Sequence, residues 1–208
     1  MSNKGKEKYI SVLQKYVPSG SEEYLYELLC RHPLDFSVVK PRKTKLGDFR
    51  FPFEGKKAKI TVNGNLNPYS FLITTLHEIA HFFAFLEFGK RIKAHGKEWQ
   101  TTYRGLLLPF IDRKIFPKDI ENALVNSLVK VKASSCTDLN LYRVLHQYDE
   151  KKVDTLWLEN LAYGDAFELD ERVFIKGRLR RKRYLCTERN TQKQYLVSPV
   201  ATVKKIEL

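Results

Sequence analysis

Two hundred and eight residues, 43% hydrophobic and 12% aromatic, suit one ordinary domain, or one with a small appendage, and exclude a repeat array, a large multidomain enzyme and a disordered chain. Lys and Arg number 37 against 24 Asp and Glu, and the net +13 points to a polyanionic partner: nucleic acid before an anionic membrane or an acidic protein. Three scattered cysteines, Cys30, Cys136 and Cys186, build neither a disulfide framework nor a four-thiolate zinc site, and the polar first residues offer no apolar leader, so the expected compartment is the reducing cytoplasm.

Tyr9, Val12, Leu13 and Tyr16 recur at helical spacing as far as Pro18. Ser21 then offers an N-cap, with Glu22 and Glu23 in the first turn, for a second helix ending before Pro33. Strand-like pieces follow at 36–39, 47–51 and 59–62, separated by Pro41, Arg42-Lys43-Thr44-Lys45 and Glu54-Gly55. Asn67-Pro68 is a strong helix start and Gly89 a plausible stop. The stretch between them is apolar nearly all round, and His77, Glu78, His81 and Glu87 argue for a buried central helix instead of a membrane span. Further helices are expected at 97–108, 118–131 and 139–148. After residue 150 the texture changes to strands, at 167–169, 172–175, 179–187, 194–197 and 202–206, with turns at Gly164-Asp165, Lys176-Gly177 and Arg189-Asn190-Thr191.

Chemistry concentrates in the central helix, at His77-Glu78-Ile79-Ala80-His81. Residues four apart on a helix lie nearly above one another, so both imidazoles can reach one metal ion while Glu78 turns toward its open side. A hydrolytic zinc needs that arrangement, because it makes water acidic and the adjacent carboxylate can take the proton. The alternative is a hydrogen-bonded cluster without metal, since bare buried imidazoles cost several kcal/mol. A catalytic zinc takes three protein ligands. The candidate third is His95, fourteen residues beyond His81, with Gly89 and Gly96 letting the chain swing back. Glu87 and Glu98 are reserve ligands, whereas His32 sits before Pro33 at a helix end and His146 is on a helix of its own.

His77-Glu78-Ile79-Ala80-His81 followed by His95-Gly96-Lys97-Glu98-Trp99, with Lys45-Leu46-Gly47-Asp48-Phe49-Arg50 and Ile60-Thr61-Val62-Asn63 upstream, resembles the SprT-like metallopeptidase family, related to Spartan DNA-protein crosslink proteases. The resemblance covers about residues 1–110. It implies His77, His81 and His95 as ligands of one catalytic Zn2+, Glu78 as general base, and an α+β minimal zincin fold whose small sheet beside the active helix receives an extended peptide at its edge. One departure stands out: many relatives carry a four-cysteine zinc ribbon after the protease part, and here too few cysteines exist to form it.

The expected organisation is therefore a zincin-like metallopeptidase domain over residues 1–150. A basic β-rich segment, 151–208, forms a small antiparallel sheet or barrel as a metal-free replacement of the ribbon. Within it Lys176, Arg178, Arg180, Arg181, Lys182 and Arg183 place six cations in eight residues, followed by Tyr184. As a hairpin they make a cationic ribbon able to follow a phosphate backbone without reading sequence; the plainer alternative is a solvated edge strand kept soluble by charge. The functional expectation is a zinc endopeptidase that cleaves DNA-bound or DNA-crosslinked proteins, with DNA held electrostatically and no membrane partner. The rival is a nucleic-acid-binding or scaffold protein with a structural or vestigial zinc.

Overall fold

Residues 3–129, 138–150 and 156–207 are described by the structure, a computed structural model. Cys136 and the end of the helix expected at 118–131 lie outside them. The chain divides into two compact units, Met1–Glu150 and Lys151–Leu208. Its architecture is mixed α+β, with six α-helices and two sheets among the described residues.

The first unit runs α1 (Asn3–Leu13), α2 (Glu22–Cys30), β1 (Leu34–Val39), β2 (Gly47–Arg50), β3 (Ala58–Asn63), α3 (Pro68–Phe88), α4 (Lys97–Asp112), α5 (Lys118–Val129) and α6 (Leu139–His146). Its sheet has the order β1-β3-β2, with β1 parallel and β2 antiparallel to β3, so β2 forms an edge. Along the central strand apolar and polar residues alternate: Ala58, Ile60 and Val62 are buried on one face, and Thr61 and Asn63 are buried on the other. At the start of α3 the Asn67 side chain accepts a hydrogen bond from the Ser70 amide at 2.9 Å. At its end Gly89 adopts φ 78° and returns its N–H to the Phe85 carbonyl at 2.8 Å. Phe71, Leu72, Leu76 and Ile79 retain no exposed surface, and each such burial stabilises the fold by roughly 1.5–3 kcal/mol. By length and composition α3 could cross a membrane, but 67% of its most apolar window is buried within the structure, which fits the core helix of a soluble protein.

Two local expectations are corrected. Ser21 keeps a helical backbone (φ −99°, ψ −18°) and its hydroxyl donates back to the Pro18 carbonyl at 2.5 Å, so it does not cap α2. The helix expected to end at 108 continues to Asp112 with Pro109 inside it. A proline there loses one helical hydrogen bond, but Leu106, Leu107 and Phe110 are buried around it and hold the last turn in place.

In the second unit a short 3-10 turn at Leu158–Asn160 precedes β4 (Ala166–Leu169), β5 (Arg172–Ile175), β6 (Leu179–Arg180), β7 (Arg183–Glu188), β8 (Gln194–Val197) and β9 (Lys204–Ile206). All pairings are antiparallel, in the order β6-β7-β5-β4-β9 with β8 also on β7. Leu158, Phe167, Phe174 and Cys186 form its core. The single strand expected at 179–187 is two, because the chain turns at Arg181 and Lys182. Arg181 takes φ 56°, and Arg180 pairs with Arg183 across the turn.

Candidate metal centre

His77 and His81 project one turn apart from α3, and His95 comes from the segment between α3 and α4. Their Nε2 atoms form a nearly equilateral triangle: 3.2 Å from His77 to His81, 3.1 Å from His81 to His95 and 3.1 Å from His95 to His77. Hydrogen bonding alone does not account for it. A neutral ring nitrogen either donates or accepts, never both, so at most two of the three contacts can be hydrogen bonds and the third sets like groups face to face. One cation satisfies all three lone pairs. Tetrahedral zinc with bonds of about 2.0–2.1 Å holds its ligand nitrogens roughly 3.3 Å apart, close to the spacing present. Among the described residues no carboxylate or thiol joins the three imidazoles as a further ligand; Glu87 and Glu98 stay outside the group.

Electrostatics prepares the rings. Burial, then the neighbouring His81 and His95, lower the His77 pKa to about 2. Burial and His95 lower His81 to about 4, and burial lowers His95. All three rings are therefore neutral near pH 7, the form that ligates a metal.

The segment carrying His95 is held from both sides. His95 itself adopts a left-handed backbone, φ 60°, and its carbonyl accepts from the Gln100 side chain at 2.8 Å. Backbone freedom at Gly96 is not what the turn uses. Gly96 has the ordinary φ of −69°, and glycine is needed there for space, since a Cβ would stand 2.8 Å from the Lys93 carbonyl oxygen. In the first turn of α4, Trp99 is buried against all three imidazoles, with ring centroids 4.7 Å from His77, 4.7 Å from His95 and 5.2 Å from His81. Tyr103 stacks behind it at 4.9 Å, and Phe49 of β2 lies parallel to the His81 ring at 6.3 Å. Sequence reading missed this aromatic wall. Its signal was the four-residue spacing from Trp99 to Tyr103, which places the two rings on one side of α4.

Glu78 is buried where α3 meets β2. Burial, reinforced by the Asp48 carboxylate, raises its pKa to about 7 against the pull of Arg42, Lys45 and a backbone hydrogen bond from Phe49. Gly47 lets the strand come this close, because a Cβ on it would lie 2.6 Å from Glu78 Oε1. Burial also pushes Asp48 upward, but Lys45 Nζ at 2.6 Å and Arg50 Nε at 2.9 Å outweigh it and hold the carboxyl below its ordinary value.

The cations singled out in the sequence fall into two groups. Arg178, Arg180, Arg181, Lys182 and Arg183 are exposed along the β6–β7 hairpin. Lys176 is not part of that ribbon. It is buried, donates to the carbonyls of Leu161 at 2.5 Å and Glu159 at 3.3 Å, and lies 4.1 Å from the centre of the Tyr184 ring. In the first unit, between β1 and β2, Arg42 donates to Asn63 and Thr61 of β3, and Lys45 is paired with Asp48, so these two cations serve the fold. His32 lies edge-on to Phe82 and Phe83, and His146 is paired with Asp149, each away from the triangle.

Fold and site together define a mixed α+β unit with a three-histidine candidate metal centre and a buried carboxylate beside it. Over 33 residues the chain is 54% identical to the protein named Protein SprT in three strains of Pseudomonas putida. This stretch is 16% of the chain and spans only 20% of the length of those curated relatives; it supports a SprT-like relationship and nothing finer. No family model matches the chain. No solved structure matches it either.

Proposed function

We propose that this protein is a zinc-dependent endopeptidase of SprT-like type, with a minimal zincin core, that cleaves proteins bound or crosslinked to DNA. The observation that carries the reading is the Nε2 triangle of His77, His81 and His95 with the Glu78 carboxylate buried one residue along the same helix. When bound, zinc supplies Lewis acidity, lowering the pKa of water to about 7 and polarising a carbonyl. Glu78 takes the water's proton and later hands it to the leaving amine. A carboxyl near pH 7 is matched to both transfers. Trp99 and Phe49 exclude water from the ring faces and fix their orientation. The β2 edge, unpaired on its outer side among the described residues, offers main-chain groups to an extended substrate strand.

The DNA part of the proposal rests on charge. The net +13 is spread over both units, and the exposed Arg178, Arg180, Arg181, Lys182 and Arg183 form a ribbon suited to phosphates. The test is cleavage of a basic DNA-binding protein with and without single-stranded DNA, comparing the wild type with Glu78→Gln. Cleavage by the wild type alone, enhanced by DNA, is expected. Equal cleavage by both forms refutes the mechanism, and cleavage indifferent to DNA refutes the assigned partner.

A further inference from the structure

A cavity of about 140 Å³ lies between the first turns of α3 and the helix α6. Its volume is close to that of the roughly 150 Å³ apolar cavity known to admit a benzene ring. Ile73 and Leu145 give it an apolar wall, with Ser70 and Thr74 beside them on α3 and Leu46 leading into β2. Thr74 connects it to the chemistry. One helical turn before Glu78, Thr74 shares with Glu78 the space over Gly47: a Cβ at Gly47 would meet Thr74 Cγ2 at 2.8 Å and Glu78 Oε1 at 2.6 Å. Leu46, on the other side of the cavity, is the residue before Gly47. Two residues lining the cavity, Leu46 and Thr74, thus adjoin the Gly47 position against which Glu78 packs.

Two of the polar groups lining it, His146 and Asp149, are engaged with each other. His146 Nδ1 lies 2.7 Å from Asp149 Oδ2, while the Asn67 side chain donates to Asp149 Oδ1 at 2.6 Å and to the Leu145 carbonyl at 2.9 Å. Tyr142 lies parallel to the His146 ring at 6.2 Å. These contacts tie α6 to the cap of α3. They occupy both carboxylate oxygens of Asp149 and Nδ1 of His146, so an uncharged occupant is favoured over a charged one that would lose its hydration there.

We propose that this cavity is the specificity subsite of the peptidase and takes a leucine-sized aliphatic side chain from the substrate residue next to the cleaved bond. The inference rests on the peptidase reading given above. A substrate strand added antiparallel to β2, the commoner pairing, enters at Arg50 and leaves past Leu46. The subsite then belongs to the residue on the carboxyl-terminal side of the cleaved bond, and α6 acts as the specificity element.

The test uses the full zinc-loaded chain and peptides that differ at that one residue. The wild type should cleave the Leu peptide about 10- to 100-fold better in kcat/KM than the Ala or Trp peptide, the discrimination expected of an apolar pocket. Ser70→Phe fills the cavity and should move the preference to Ala; Leu145→Ala enlarges it and should admit Trp. Zinc content reports that each variant is folded at the centre. A preference unmoved in both variants overturns the proposal. If no form cleaves any peptide, the peptidase reading fails. Binding of the Leu peptide to Glu78→Gln then decides the subsite by itself: weakening on adding Ser70→Phe sustains it, and equal binding overturns it.

Discussion

Gly47→Ala perturbs the closest contact in the site without touching a ligand. The new Cβ would lie 2.6 Å from Glu78 Oε1, 2.8 Å from Glu78 Cγ and 2.8 Å from Thr74 Cγ2, where ordinary contact begins at 3.4 Å. Gly47 pairs with Val62 in the sheet, so the strand resists retreat and the Glu78 carboxylate moves instead, by an appreciable fraction of 1 Å. A misplacement of about 1 Å at a reacting group costs on the order of 10²-fold in rate, and a general base contributes about 10²–10⁴-fold in all. We expect kcat/KM on a peptide substrate to fall about 100-fold, a loss of about 2.7 kcal/mol of transition-state stabilisation. Overpacking should also cost about 1–3 kcal/mol of stability, seen as a Tm lower by several degrees. Zinc measured by elemental analysis should stay at the wild-type level, because the three imidazoles are not displaced. Activity within threefold of the wild type, or zinc lost together with activity, refutes the placement of Glu78 against β2.

His95→Ala should release zinc on dialysis while the fold persists, since the ring is only partly buried; full zinc retention in the variant rules His95 out as a ligand. In the second unit, Arg172 Nε lies 2.6 Å from Glu188, and its hydrogen bond, with that from Thr191, lowers the Glu188 pKa from 4.5 to about 2. The ionised form therefore stabilises the fold above about pH 4.5, and the contribution is lost as pH falls toward 2. Arg172→Met should lower Tm at pH 7, with the gap to the wild type closing between pH 4.5 and 2; a gap independent of pH contradicts the pairing. Lys176→Met should leave two carbonyls short of a donor and destabilise by about 1–3 kcal/mol without changing affinity for duplex DNA. Arg181→Ala with Arg183→Ala should do the reverse, reducing the slope of log affinity against log salt by about 2. Identical effects from the two experiments would show that burial does not separate these cations.

Motifs with short-range physics were legible in the sequence. The Asn67-Pro68 start, the Gly89 stop and the pairing of His77 with His81 follow from local geometry, and the structure shows the first two and sets the two imidazoles side by side. What depended on distant contacts was not legible. The end expected at 108 fell short because the burial of Leu107 and Phe110 that sustains the helix past Pro109 comes from other elements. Lys176 looked like its neighbours in the basic run, although two backbone carbonyls and the Tyr184 ring draw it inward. Ser21 had the residue type of a cap but a helical backbone that points its hydroxyl back to Pro18. The raised pKa of Glu78 comes first from burial, to which the close strand at Gly47 belongs, and then from Asp48, about thirty residues upstream, which no helical periodicity reports.

The central claim is that three imidazoles hold one zinc and leave a position for water. X-ray absorption at the zinc edge of the purified full chain addresses it directly. The account predicts one zinc per chain, three histidine nitrogens at about 2.0–2.1 Å and one further light oxygen ligand that exchanges with solvent. A sulfur neighbour, a fourth protein ligand, or a chain that takes up no zinc at neutral pH would contradict it.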